Sequence, residues 1–431
     1  MYAERIDRAK TVKHYGKVTQ VVGLVVESAG PTVSIGRLCN IENHDDGGKI
    51  KAEVVGFRDN KILLMPLGPI DGITPGAIVT STSEQLRVPV GKELIGRVLG
   101  GLGQPIDNKG PITSTVTRPI NGRSIHVLKR RRITKPLRTG IKVFDIMTTV
   151  GQGQRMGVFA GSGVGKSVLL GMMARGSSAD VNVIALVGER GREVREFVER
   201  DIGPEGLKRS VVVAVSSDQP ALIRVKGALV ATTIAEHFRD QGMNVMLMMD
   251  SITRIAMALR EIGLAVGEPP ATKGYTPSVF AFLPKLLERA GNSETGTMTG
   301  FYTVLVEGDD LNEPISDAVR SILDGHVSLS RRLASLNQYP AVDFLDSISR
   351  LMPDVCTEEE LRLAAKVREL VAIYRESEDL INIGAYVKGS NPKIDRAISK
   401  IDVINEFFRQ GIYEKAVHEQ SIARLKEIID D

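Results

Sequence analysis

An α/β fold in three parts is predicted for this chain: a small N-terminal β-barrel, a central parallel-sheet domain and a C-terminal helical bundle. Three observations predict it. Short β-rich runs broken by Gly and Pro fill residues 16–84, continuous apolar strands alternate with helical stretches over residues 85–350, and residues 351–431 read as helical. At 431 residues the chain is too long for one ordinary core, so two or three domains are expected.

Residues 1–15 carry Glu4, Arg5, Asp7, Arg8, Lys10 and Lys13 with sparse apolar positions, which reads as a tail or a partner-binding segment. The barrel follows. Val18–Val26, Thr32–Ile35, Ala52–Phe57 and Lys61–Met65 look like strands, and Gly30-Pro31, Asp71-Gly72 and Pro75-Gly76 mark turns. Several short strands with close turns suit a small closed barrel.

In the middle region Val183–Val187, Val211–Val215 and Val245–Met249 are uninterrupted apolar runs, as expected of parallel strands buried on both faces. Asp218-Gln219-Pro220 signals a helix start, and Ala221, Val225, Ala228, Thr232 and Ala235 recur at helical spacing. After Pro353 the pattern turns helical. Thr357 and Glu360 form a capping box, and Gly384, Gly389-Ser390-Asn391-Pro392 and Gly411 punctuate a bundle.

Composition narrows the function classes. Hydrophobic residues make up 42% and charged residues 25%, the balance of a soluble globular protein. A formal charge of +4 gives no strong field for nucleic acid or anionic membrane, and Lys129-Arg130-Arg131-Arg132 reads as a solvated face. Cys39 and Cys356 have no Cys or His at metal-ligand spacing, which fits a reduced, cytoplasmic protein. No apolar run approaches the ~18 residues that span a bilayer, so any membrane work requires recruitment by something else.

The chemistry centres on Ala160-Gly161-Ser162-Gly163-Val164-Gly165-Lys166-Ser167, flanked by the apolar run Arg155–Phe159 and the apolar helix opening at Val168. Glycines without Cβ let the backbone curl with N–H groups turned towards phosphate oxygens. Lys166 adds a full positive charge, the helix N-terminus a partial one, and the Ser167 hydroxyl suits Mg²⁺. Such a P-loop implies a nucleoside triphosphate. Asp250 ends an apolar strand and is the natural second Mg²⁺ group. Val187-Gly188-Glu189-Arg190 leaves another strand at the end where ligands sit in such sheets. Glu189 is the candidate base for the attacking water, Arg190 its orienting neighbour, and Glu193 the alternative base.

These segments carry a resemblance. The P-loop, Gly188–Val194, Asp250-Ser251-Ile252-Thr253-Arg254, Pro136–Ile141 and Tyr339-Pro340-Ala341-Val342-Asp343 resemble the rotary and hexameric F-type/V-type ATPase superfamily. Gly267–Tyr275, Glu307–Ile315 and Ser321–His326 are most similar to its flagellar protein-export branch, kin to the type III secretion ATPases. Ala271-Thr272-Lys273, where injectisome members tend to be basic, favours the flagellar side.

The resemblance implies a central P-loop (RecA-like) ATPase domain, ATP and Mg²⁺, and a homohexamer with ATP held between neighbours. It also implies that Arg350 is an arginine finger acting on the next subunit's γ-phosphate, that Tyr339 packs on adenine, and that Arg254 lies near the γ-phosphate. Implied partners are a regulator (stator-like) subunit, a central stalk-like coiled-coil subunit, export chaperones and export-gate membrane proteins, with no specific nucleic acid. The leader of residues 1–15 is shorter than the helix with which many members bind the regulator and lipid. The expected place of work is the cytoplasm, with peripheral recruitment to the inner membrane at the flagellar base.

Three other readings compete. The catalytic subunit of a proton-translocating synthase is disfavoured by the P-loop and the export-type segments. An RNA-tracking, Rho-like hexamer has only the 129–132 basic run in its favour and lacks a cluster of stacking aromatics. An inactive nucleotide-binding subunit is at odds with the joint presence of Lys166, Glu189, Asp250 and Arg350.

Overall fold

Alternation of inward apolar and outward polar side chains closes the N-terminal strands on themselves. The computed structural model describes residues 15–430 apart from 46, 83, 123, 307–309 and 311, so residues 1–14 of the expected tail lie outside it. Strands β1 (Tyr15–Val22), β2 (Val25–Ala29), β3 (Leu38–Glu42), β4 (Lys49–Arg58), β5 (Lys61–Pro66) and β6 (Ile78–Ser81) form a closed barrel in the order β1-β2-β5-β4-β3-β6. Val18, Val26, Cys39, Ile41, Val54, Ile62, Leu64 and Val79 fill its interior.

Two expectations need correction here. The run 18–26 is not one strand but a hairpin that turns at Gly23, whose φ of 55° a residue with Cβ rarely adopts. Thr32–Ile35 is not a strand, and pairing falls instead to Leu38–Glu42. Its Leu-Cys-Asn-Ile-Glu sequence satisfies both neighbours only through long-range contacts with β4 and β6.

The central sheet has eight strands: β7 (Val98–Leu99), β8 (Arg155–Ala160), β9 (Val181–Glu189), β10 (Ser210–Ser216), β11 (Asn244–Asp250), β12 (Thr297–Leu305), β13 (Gly325–Leu329) and β14 (Val342–Ser349). Their order is β14-β13-β8-β12-β11-β9-β10-β7. All pairs are parallel except β13 with β14, so one edge departs from the expected all-parallel sheet. Successive residues of a strand serve opposite faces. Val158, Ile184, Leu186, Met246 and Met248 enter one core, while Phe159, Val183, Ala185, Leu247 and Met249 enter the other.

Helix α1 (Lys166–Gly176) covers the first face with Leu170 and Met173, and α2 (Ala221–Asp240) covers the second with Ala228, Ile234 and Phe238. Helix α3 (Ile252–Ala265) follows β11 on the second face. The C-terminal helices are α4 (Glu358–Asn382), α5 (Pro392–Phe408) and α6 (His418–Asp430). Leu363 and Val367 of α4, Ile404 and Phe408 of α5 and Leu425 of α6 join the first core, so the bundle is welded to the sheet. The capping box at Thr357 and Glu360 is present. Among the described residues no helix is long and apolar enough to cross a membrane.

The basic run is not a free stripe. Arg130 donates to the carbonyl of Ala290 at 2.9 Å and Arg131 to that of Ser293 at 2.8 Å, fastening this segment to the turn before β12.

Candidate active site

The parallel register brings Ala160, Glu189 and Asp250, each the last residue of its strand, to one edge of the sheet. From Ala160 the chain enters the glycine-rich turn. Gly163 and Gly165 take φ of 80° and 88°, and Gly165 caps α1. This left-handed geometry is what aims Lys166 back over the strand ends. Its ammonium lies 2.5 Å from Asp250 Oδ1 and 3.6 Å from Glu189 Oε1. Thr303 on β12 donates to the same Asp250 oxygen at 2.7 Å.

Charge and burial set the protonation of Lys166 and Glu189. Burial works against the Lys166 charge, yet Asp250 and Glu189 hold its ammonium above the ordinary lysine range. Burial lifts the Glu189 carboxyl to about 7; Lys166 opposes the rise, while Asp250 and Glu193 add to it. A carboxyl poised near neutrality suits a group that takes a proton from water and gives it up again.

A bulge places Glu189. Between Val187 and Glu189 the pairing with β10 slips, with Gly188 at φ 76°. A Cβ there would sit 2.9 Å from Arg254 Cβ, so the Arg254 side chain packs directly against Gly188. Ser251 caps α3 by accepting from the Arg254 amide at 3.3 Å. Arg254 Nε is buried with no hydrogen-bond partner among the described residues.

Arg190 is elsewhere. Its guanidinium is exposed and pairs with Glu193 at 3.8 Å, so the cation beside Glu189 is Lys166. The reason is local: Glu189 ends a strand facing the P-loop, and Arg190, one residue on, begins the turn into the next helix on the outer side.

Beyond the P-loop lies an apolar cavity of about 290 Å³ lined by Val168, Met172, Leu329, Tyr339, Gln410 and Ile412 among others. A Cβ on Gly165 would come within 3.4 Å of the Tyr339 ring, so that ring stands against the P-loop backbone. Ser162 and Ser167 are exposed, with Gly161 and Val164 buried. Sequence reasoning missed Thr303, Gln410 and Ile412. Thr303 carried the faint signal of a polar residue in an apolar strand; Gln410 and Ile412 carried none.

Arg350 does not join this cluster within one chain. Leu329 of β13 pairs with Ala160, while Gly325 pairs with Ser349 and the Arg350 amide bonds the Asp324 carbonyl. Arg350 thus lies at the far edge of the sheet, roughly 16 Å along the strands from the P-loop at about 3.3 Å per residue.

Comparison with known proteins agrees with this architecture. The nucleotide-binding domain model of the ATP synthase alpha/beta family matches residues 140–349, and the beta-barrel domain model of the same family matches residues 18–83. A T3SS EscN ATPase C-terminal domain model matches residues 356–427. The flagellum-specific ATP synthase of Bacillus subtilis is 56% identical over 430 residues, covering 98% of this chain and 97% of that protein. The type 3 secretion system ATPase of Xanthomonas euvesicatoria is 48% identical, covering 97% and 95%. The assembled ATPase EscN from the enteropathogenic E. coli type III secretion system superposes with a TM-score of 0.91 at 43% identity, covering 96% of this chain and 100% of EscN. With barrel, P-loop sheet and helical domain all matched in order, the chain belongs to the ATP synthase alpha/beta family, as an ATPase of its flagellar and type III secretion branch.

Proposed function

We propose that this ATPase works as a ring of six identical subunits that energises flagellar protein export, releasing unfolded subunits from chaperones and delivering them to the export gate. The observation that carries the catalytic part is the half-buried Glu189 carboxyl, poised near neutrality 3.6 Å from the P-loop lysine. The triphosphate enters along residues 160–167, with Tyr339 against the adenine. Lys166 exchanges its contact with Asp250 for phosphate oxygens. Glu189 orients the attacking water and receives its proton at the carboxylate. Arg254, with Nε already desolvated, and Arg350 of the adjoining copy neutralise charge on the transferring phosphoryl group.

Mg²⁺ fits the donor set. Asp250 and Ser167 offer hard oxygens, and no group of three or more acidic, His or Cys side chains placed to hold a metal ion occurs among the described residues. That suits an ion carried largely by substrate oxygens and water. Asp250 and Ser167 would hold it, and when bound it neutralises negative charge on the phosphates.

The partners follow from the same reading. EscN has been solved in complex with its central stalk EscO, and this chain matches that structure with a TM-score of 0.88, which supports a central stalk subunit here; that it is a coiled coil is part of the proposal. A regulator subunit, chaperones and gate proteins complete the proposal, with the ring recruited from the cytoplasm to the inner membrane at the flagellar base. Residues 307–309 and 311, on which part of the export-type resemblance rests, lie outside the described residues, as do residues 1–14 of the leader. The Xanthomonas relative gives service in an injectisome as the second reading.

The test is Glu189→Gln, with turnover abolished and ATP binding near wild type. Hydrolysis at a comparable rate would remove Glu189 as the base. Specific activity of the wild type should rise cooperatively with protein concentration and ignore single-stranded RNA; dependence on RNA would favour the nucleic-acid motor instead.

A further inference from the structure

The ladder between β13 and β14 is interrupted. Leu329 pairs with Val342 and Ser328 with Asp343 at one end, and His326 with Ile348 and Gly325 with Ser349 at the other. Between these ends β13 passes through Val327 alone, while β14 passes through Phe344, Leu345, Asp346 and Ser347. A bulge of this kind bends its strand and re-aims the side chains beyond it. Arg350 stands just beyond it. Asp346, Ile348 and Arg350 are exposed while Ser347 and Ser349 are buried, so the alternation after the bulge decides where Arg350 points.

Backbone groups taken out of a ladder must find other partners. Some are local: Ser328 Oγ donates to the Asp346 carbonyl at 3.1 Å, and Ser347 Oγ to that of Asp343 at 2.5 Å. The others come from the helical domain. Arg368 of α4 donates to the Phe344 carbonyl at 2.7 Å, reaches that of Ser347 at 3.5 Å, and also bonds the carbonyl of Met147. About two turns along the same helix, Arg375 donates to both carboxylate oxygens of the buried Asp343, at 2.8 and 2.7 Å. Its other amine lies 3.7 Å from Asp346. Phe344 packs on Phe408 of α5, with ring centres 5.5 Å apart. Because β14 is the outermost strand of the sheet, water could satisfy such a bulge. Here two arginines of the helical domain grip it at both ends instead.

We propose that Arg368 and Arg375 are positioning residues for Arg350. By fixing the length and direction of the bulge they set how far Arg350 reaches towards the phosphate of the adjoining copy. The helical domain of one copy thereby governs the reaction in its neighbour, through a strand that contributes nothing to its own phosphate cradle. This rests on the reading of Arg350 given above.

Mixed rings test it. A Lys166→Ala copy keeps Arg350 but lacks the P-loop charge, an Arg350→Ala copy keeps the P-loop, and the two in equal amounts regain activity on that reading. Arg368→Met or Arg375→Gln is then added to one copy or to the other. In the Lys166→Ala copy, which lends its Arg350, either change is expected to lower the regained kcat about tenfold. In the Arg350→Ala copy the same change should leave the regained kcat within about twofold, with the Kd for ATP unaltered. Arg375→Gln, at a half-exposed side chain, answers the question if Arg368→Met folds poorly. Equal losses in the two placements, or a lowered melting temperature with the regained kcat unchanged, would overturn the positioning role. If the mixture without either change regains nothing, the reading of Arg350 falls first and the positioning role with it.

Discussion

Glu189 owes its chemistry to a conflict. A carboxylate in a mostly dry pocket is driven to protonate, and the Lys166 ammonium holds it back, which leaves the group near 7. On the proposed reading Glu189 is the base, and a base works only when ionised, so the rate should fall where the carboxyl is protonated. Turnover at saturating ATP is therefore expected to climb as pH rises through about 7, and a rate flat between about pH 5.5 and 8.5 would contradict it. Glu189→Gln should erase the limb along with the activity. Gly188 is the second residue on which the site turns. At φ 76°, with the Arg254 side chain where a Cβ would go, Gly188→Ala must move either the strand end or the arginine. Misplacement on the order of 1 Å lowers rates by up to about 10²-fold, so kcat should drop while the melting temperature moves little. Gly188 and Glu189 could be picked out from sequence because a strand end followed by Gly-Glu has few other uses. Arg190 was placed by adjacency alone, and adjacency along an extended chain points neighbours to opposite sides.

Elements are held by contacts that sequence patterns only partly announce. The capping box opening α4 was legible, because Thr357 and Glu360 satisfy each other's backbone within one turn. Thr357→Ala is expected to lower stability by about 1 kcal/mol, read as a shift in the melting temperature. The tie between barrel and ATPase domain was not legible. Lys226 in the middle of α2 pairs with Glu53 of β4 at 2.7 Å, and both side chains are buried. Removing one partner strands a buried charge, so Lys226→Met should cost about 3–5 kcal/mol, measured by denaturant unfolding. The double change Lys226→Met, Glu53→Met should recover most of that loss; if it does not, the pair is not what holds the barrel in place. No local pattern marks such a pair, since the partners are far apart in sequence and a lone lysine in a helix reads as surface.

At the scale of the whole molecule the decisive feature is that P-loop and Arg350 occupy opposite ends of one sheet. A single copy cannot bring them together without breaking β13 and β14, so on the proposed reading, with Arg350 acting on the phosphate, the site is completed by a second copy. Arg350→Ala and Lys166→Ala should each be nearly inactive, the first by about 10³-fold or more. Mixed in equal amounts they should regain activity, because the P-loop of an Arg350 variant can meet the arginine of a Lys166 variant. In a ring assembled at random about a quarter of the sites would be whole. No recovery after co-assembly would mean that Arg350 does not act between subunits.

The sequence by itself determined the three-part plan, the P-loop, the strand-end carboxylates and the family. Each of these rests on local chemistry: runs of apolar residues, glycines where the backbone must curl, a helix cap. Only the tertiary structure decided which strands close the barrel, that β14 runs antiparallel, that Thr303 supports Asp250, and that Gln410 and Ile412 wall the cavity. It also decided that Lys166, rather than Arg190, is the cation on Glu189. The physical reason is that these are contacts between residues distant in sequence, fixed by register and packing, and neither period nor motif carries information about a partner that folding brings from another part of the chain.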